Sequence, residues 1–207
     1  MESKIISVAH DKGGVGKTTI ATNILVQLLQ DHKQINAIDL DPKKHLTKFL
    51  LRRQDDRIKL LDFSSTKELI KIFDDNEGVL IVDVGGLDSD QTRTAIVYSD
   101  RVVTPLADSQ IELDGLMEFK KVIKVLQSAR PDLRATILLN RIHPKTNKSI
   151  VDLKEYMQTQ TDVFNIFDTV VRDRAAFKVA YGDGKSVSEI SGAAKAATEI
   201  YNLVKEL

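Results

Sequence analysis

The chain has 207 residues, of which 42% are hydrophobic and 29% charged, with 30 Lys and Arg against 30 Asp and Glu and no cysteine. The length suits one domain with a full core, and zero net charge gives no global field for nucleic acid, so any DNA contact must come from a local patch. The lack of cysteine excludes disulfides, thiolate metal sites and cysteine-ligated iron–sulfur clusters, and no apolar run approaches the roughly 18–20 residues needed to cross a bilayer.

The start, Met1-Glu2-Ser3-Lys4, runs directly into an apolar segment and does not read as a signal peptide. The expected compartment is the cytoplasm, and the expected organisation is one domain over 1–207 with no separate DNA-binding domain ahead of it. Ile5–Ala9 reads as a buried strand and Lys17–Gln30 as a helix. Between them lies Asp11-Lys12-Gly13-Gly14-Val15-Gly16-Lys17-Thr18-Thr19. A Gly-rich turn between strand and helix aims backbone N–H groups and a helix N-terminus at one small space, which suits polyphosphate. Lys17 would reach the β- and γ-phosphates of a nucleotide, and the Thr18 hydroxyl would bind Mg²⁺. Asp11 stands where the common phosphate loop has its first Gly. The sequence instead fits K-G-G-x-G-K-[ST], with a second lysine, Lys12, inside the loop.

Ile35–Asp39 is the next strand, and Asp39 and Asp41 are spaced to point the same way from extended backbone. Pro42 ends that strand, and a helix is expected over Lys43–Arg52. Strand Ile58–Asp62 and helix Thr66–Asp74 follow. Val79–Val84 is an apolar strand carrying Asp83, followed by Gly85-Gly86; it resembles a Walker B strand, whose Asp bonds the phosphate-loop Thr and supports Mg²⁺. Helix Ser89–Tyr98, strand Arg101–Pro105, helix Ile111–Ala129, strand Ala135–Asn140, helix Lys148–Gln160, a weaker strand Val163–Phe167, and helices Arg174–Tyr181 and Gly192–Lys205 complete the reading. Most strands are continuous apolar runs, which indicates burial on both faces. The fold class is therefore α/β, a three-layer, mostly parallel twisted sheet with helices on both faces, and with the loop at 11–19 it resembles the deviant Walker A type of P-loop NTPase. Ligands of such sheets bind at the carboxyl ends of the strands, where the acidic residues fall. His10, His32, His45 and His143 show no metal-ligand spacing.

The loop at 11–19, Asp39-Leu40-Asp41-Pro42, Asp83-Val84-Gly85-Gly86 and Pro105 together resemble the ParA/MinD family of deviant Walker A ATPases, most closely its short plasmid-partition branch. The resemblance implies ATP and Mg²⁺ as cofactors. It implies a phosphate cradle of Gly13, Gly14, Val15, Gly16, Lys17, Thr18 and Thr19. It implies a metal set of Thr18, Asp39 and Asp83, an Asp41 that orients the attacking water, and Asn140 and Arg141 near adenine. Lys12 matches the signature lysine that crosses to a partner's nucleotide in an ATP-bound homodimer. Such a dimer would bind DNA non-specifically, through Arg172, Arg174, Lys178 and Lys185, release it on hydrolysis, and answer to a small centromere-binding partner protein. A nucleoid-associated place in the cytoplasm follows from that. His10 and Asp11 depart from the commoner residues before the signature lysine, and Lys43 and Lys44 replace a frequent Gln. Other readings are a MinD-like or other cargo-positioning ATPase and a nucleotide-dependent interaction switch in conjugation. Residues 193–207 are short of large apolar and basic residues, so they read as a packed terminal helix rather than a membrane anchor.

Overall fold

The computed structural model describes residues 4–146 and 148–207; Met1 to Ser3, read above as the approach to the first strand, lie outside the described residues. Seven strands alternate with helices: β1 Lys4–Val8, α1 Lys17–Leu28, β2 Ile35–Asp39, α2 His45–Arg53, β3 Ile58–Leu60, α3 Thr66–Asp74, β4 Val79–Asp83, α4 Asp90–Tyr98, β5 Arg101–Leu106, α5 Gln110–Leu126, β6 Ala135–Ile142, α6 Lys148–Gln158, β7 Phe164–Arg172, α7 Ala175–Gly182 and α8 Ala194–Lys205. The strands form one sheet in the order β3-β2-β4-β1-β5-β6-β7, and every pairing is parallel.

The period of two along each strand divides the core between the two sheet faces. Ile5 and Ala9 join Leu80, Val82 and Val84 under α3, α4 and α5. Ile6 and Val8 turn the other way, with Ile81, onto α1, α2 and α8. The apolar stripe of α8, Ala196, Ile200 and Leu203, is buried on that second face. Among the described residues no helix is long and apolar enough to cross a membrane.

Register places the site. β4 lies between β2 and β1, so that Asp39 is level with Asp83 and Asp83 is level with Val8. The loop leaving β1 therefore emerges beside both carboxylates. It also emerges where the chain order reverses, with β4 and β2 on one side and β5 and β6 on the other, the usual ligand crevice of such sheets.

Three differences from the expected elements have local causes. α2 begins at His45 rather than Lys43, because Lys44 takes a left-handed conformation (φ 52°). β7 runs on to Arg172 as an edge strand; exposed Asn165 and Asp168 interrupt its buried and half-buried residues, a pattern that an apolar-run criterion passes over. A single turn of 3₁₀ helix at Val187–Glu189, closed by a capping box from Ser186 and Glu189, precedes α8.

Candidate nucleotide site

α3, α4 and α5 each begin with a serine, Ser65, Ser89 and Ser109, whose side chain accepts from the backbone three residues on. α1 does not. Its N-cap is Gly16 (φ 99°), no side chain caps it, and its first turn carries no acidic residue. Its first N–H groups and its dipole are left to face the loop, as an anion site requires.

The loop carbonyls are held from outside. Asn140 Nδ2 donates to the Val15 carbonyl at 2.8 Å, and the Arg141 guanidinium donates to the Gly14 carbonyl at 2.8 Å. Arg141 reaches there from a left-handed backbone (φ 59°) at the end of β6. Lys17 Nζ donates to the Lys12 carbonyl at 2.9 Å, closing the loop on itself. Gly16 has no room for a side chain, because a Cβ there would sit 2.5 Å from Asn140 Nδ2.

The carboxylates lie beside the loop. Thr18 Oγ1 donates to Asp83 Oδ2 at 2.6 Å. Asp83 is buried, and its carboxyl is pushed up to about 7, first by burial and then by the charges of Asp39 and Asp41, with the Thr18 bond and Lys17 opposing. Burial draws the Lys17 ammonium below its ordinary value, against the pull of Asp83, Asp41, Asp11 and Glu112. Asp39 is committed to its own loop and the start of α2. Its Oδ1 accepts from Asp41 N–H at 3.0 Å, and its Oδ2 accepts from the Thr47 N–H and hydroxyl at 2.8 and 2.9 Å. Asp41 is half-buried at the cleft edge, where its Oδ1 accepts from Lys43 N–H at 2.8 Å. Its Cα packs on Gly85, where a Cβ would come within 3.0 Å.

A cleft of about 610 Å³ opens over these groups, lined by Gly13, Gly14, Lys17, Thr18, Asp41 and Gly86 among others. A second cleft of about 350 Å³ continues from it past Gly14, Gly16 and Thr19, lined by Asn140, Arg141, Arg172, Arg174, Phe177 and Lys178. Tyr181 lines both. Lys12 lines neither. Its Nζ lies 2.7 Å from Glu112 Oε1 on α5, and its backbone N–H donates to His10 Nδ1 at 3.0 Å.

A protein-family model described as the CobQ/CobB/MinD/ParA nucleotide binding domain matches residues 6–187. The chain belongs to that family. It is 28% identical over 211 residues to the maintenance of carboxysome distribution protein A of Halothiobacillus neapolitanus, covering 98% of this chain and 95% of that protein. The fold matches a Cyanothece McdA–ATP complex with a TM-score of 0.78 at 17% identity, over 99% of this chain and 95% of the other. It matches a Borrelia burgdorferi protein assigned to plasmid partition and bound to AMPPNP with a TM-score of 0.72 at 19% identity, over the whole of both chains.

Within this ParA/MinD-type frame the structure divides the four basic residues expected to meet DNA. Arg172, Arg174 and Lys178 line the second cleft, and Lys185 does not. The Arg172 guanidinium donates to the carbonyls of His143 and Thr146 at 3.1 and 2.6 Å, and Arg174 is paired with Glu199 at 2.6 Å. Lys178 and Lys185 are exposed. The loop, Asp83, Asp39, Asp41, Asn140 and Arg141 are brought together.

Sequence reasoning missed Glu112, Tyr181 and Thr47. Glu112 stands three residues after Ser109, the spacing of a capping box, which hides its other use. Its Oε1 meets Lys12, and its Oε2 is buried without a hydrogen-bond partner. Tyr181 donates from its hydroxyl to the His45 carbonyl at 3.0 Å and carries Arg52 over its ring at 4.7 Å. The one available signal for it was an aromatic residue near the end of a short helix.

Proposed function

We propose that this chain is a Mg²⁺-dependent ATP hydrolase that works as an ATP-bound homodimer, holds DNA without reading its sequence, and positions a cargo, the cargo being a plasmid or chromosome in partition. The observation that carries this reading is the pair of lysines in one loop. Lys17 lines the larger cleft, whereas Lys12 lines neither of the two clefts and rests on Glu112 of α5. A cation so placed has a use in a second copy of the chain.

Lys17 and the N–H groups at the start of α1 would hold the phosphates, and the second cleft would take the base and sugar. The donor set fits Mg²⁺. Asp83 is buried among Asp39 and Asp41 with its carboxyl raised, a cluster short of positive charge, and Thr18 already sits on it. Thr18 and Asp83, with Asp39 behind them, would hold Mg²⁺, which when bound neutralises charge developing on the phosphate oxygens. Asp41, at the cleft edge, would orient the attacking water. Water adds to the γ-phosphorus, the bond to the β-phosphate oxygen breaks, and ADP and inorganic phosphate result. The tight packing of Asp41 on Gly85 would pass the loss of the γ-phosphate to the Asp41 loop, in the manner of switch segments that relax on hydrolysis.

Exposed Lys178 and Lys185, doubled in a dimer, supply the phosphate-backbone contacts, with affinity that falls steeply with salt. A small centromere-binding protein is the expected stimulating partner. A second cargo class, a protein compartment, is supported by the match of 28% over nearly the whole chain to a carboxysome distribution protein. Turnover measured with ATP alone, with non-specific DNA, and with the product of a neighbouring reading frame tests the reading. Lys12→Ala should lose both turnover and the ATP-dependent dimer; wild-type turnover in that variant rejects it.

A further inference from the structure

We infer that Glu112 is a positioning residue for Lys12, holding its ammonium on α5 of the same protomer and so opposing assembly until ATP draws the lysine away. This rests on the reading that ATP pairs two protomers through Lys12.

The restraint has two parts. The backbone of Lys12 is fixed by His10, whose Nδ1 accepts the Lys12 N–H at 3.0 Å. The His10 ring is buried and stacked on Phe119 of α5, with centroids 5.7 Å apart. The side chain is fixed by Glu112, one turn from Gly115, at 2.7 Å. Gly115 admits the lysine stem: a Cβ there would lie 3.4 Å from both Cβ and Cδ of Lys12. The stem therefore lies along α5, and the ammonium ends on a carboxylate whose side chain is only 14% exposed.

Moving Lys12 to a partner's phosphates breaks this pair and leaves Glu112 inside the fold with neither oxygen paired, since Oε2 has no hydrogen-bond partner at the outset. Removing one member of a poorly solvated ion pair costs more than the pair itself contributes. Triphosphate supplies more negative charge than one carboxylate, so the transfer is favourable only when ATP is present. The pair thereby biases the free chain toward single protomers. Each dimer breaks two pairs, so any effect on one pair enters the dissociation constant squared.

The test is sedimentation velocity with Mg²⁺ and a non-hydrolysable ATP analogue on wild type, Glu112→Gln, Lys12→Ala and the double variant. Glutamine keeps the shape and removes the charge. A factor of about 3 for each pair, the worth of a surface ion pair and so the least expected for one this shielded, predicts a dimer at least about 10-fold tighter in Glu112→Gln. Lys12→Ala loses the dimer with either residue at 112, so the discriminating readout is the combination in Glu112→Gln of a tighter dimer with an unchanged melting temperature, which a merely structural role for Glu112 would not give. Glu112→Ala, carried in parallel with thermal unfolding of every variant, gives the same comparison if glutamine is not tolerated. Wild-type dimers lost in Lys12→Ala but unchanged or weakened in Glu112→Gln and Glu112→Ala overturn the inference and leave the paired-protomer reading standing. Dimers in no variant, or dimers indifferent to Lys12, overturn both.

Discussion

Gly16→Ala is the smallest change that separates the loop's geometry from its chemistry. Gly16 has φ 99°, and an added Cβ would lie 2.5 Å from Asn140 Nδ2. The backbone conformation alone costs an L-residue on the order of 1–2 kcal/mol. Asn140 cannot stay in place, so its bond to the Val15 carbonyl at 2.8 Å is lost as well. Asn140 is buried, and an unsatisfied buried partner adds about 1–3 kcal/mol. The variant should therefore lose roughly 2–5 kcal/mol of stability, as the sum of those two costs. Asn140→Ala, which leaves the backbone alone, should lose only about 1–3 kcal/mol. Urea denaturation of the two variants and of the double variant measures this. In Gly16→Ala/Asn140→Ala the clash is gone and only the backbone cost is added to Asn140→Ala, so the two single effects should sum to more than the double. Binding of a fluorescent ATP analogue should fall at least tenfold in Gly16→Ala, because the displaced loop no longer presents its N–H groups together. A Gly16→Ala protein that unfolds at the wild-type denaturant concentration and binds nucleotide normally would refute the reasoning.

Asp83 and His10 make opposite pH slopes. Asp83 is raised to about 7, so its carboxyl favours the folded state below the ordinary carboxylate range and that contribution is lost as pH rises toward 7; His10 is lowered to about 4, mainly by burial, so stability is lost as pH falls from about 6.5 to 4. Asp83→Asn should remove the first slope and leave stability rising with pH across 4 to 6.5, read from urea midpoints; a flat profile in that variant contradicts the assignment. Asp41→Ala should still form the ATP-dependent dimer but turn over at least a hundredfold more slowly, so that the dimer stays on DNA in a filter-retention assay; prompt release overturns the water-orienting role. Tyr181→Phe keeps the ring in the cleft and removes the bond to the His45 carbonyl at 3.0 Å. It should lower kcat by a few-fold with little change in KM, since it loosens the α2 start that carries the Asp41 loop, and an altered KM alone would place the hydroxyl on the nucleotide instead.

The sheet was legible because β1, β2, β4 and β5 are largely buried and so appear as mostly apolar runs, broken at single positions such as Ser7, Asn36 and Thr104. β7 was cut short because its outer face is polar at an edge. The phosphate loop was legible because its chemistry is local: two lysines, a threonine and the glycines lie within nine residues. Glu112 was not, for the opposite reason. It meets Lys12 across 100 positions, and nothing near it in the chain marks that pairing. Asp39 was read toward a metal, but the structure also spends its oxygens on Asp41 and Thr47. Nothing local marks Thr47 as its partner. Arg172 and Arg174 were read as DNA contacts because the groups that hold their guanidinium ends, the His143 and Thr146 carbonyls and Glu199, lie 25 or more residues away.

The loop's hydrogen bonds also explain why an anion is the fitting occupant. Every backbone polar group that is buried needs a partner. Here the chain's own cations and amide serve the carbonyls: Lys17 takes that of Lys12, Arg141 that of Gly14, and Asn140 that of Val15. A carbonyl turned outward to such a donor leaves the neighbouring N–H turned inward. The loop thus enters α1 with its acceptors occupied, while no side chain caps the helix. α3, α4 and α5 satisfy the same need at their starts with serine oxygens. At α1 those oxygens are left to solvent or a ligand, and Lys17 beside the cleft favours oxygens that are negatively charged. A phosphate meets both conditions, whereas a neutral sugar or peptide supplies oxygens without the charge.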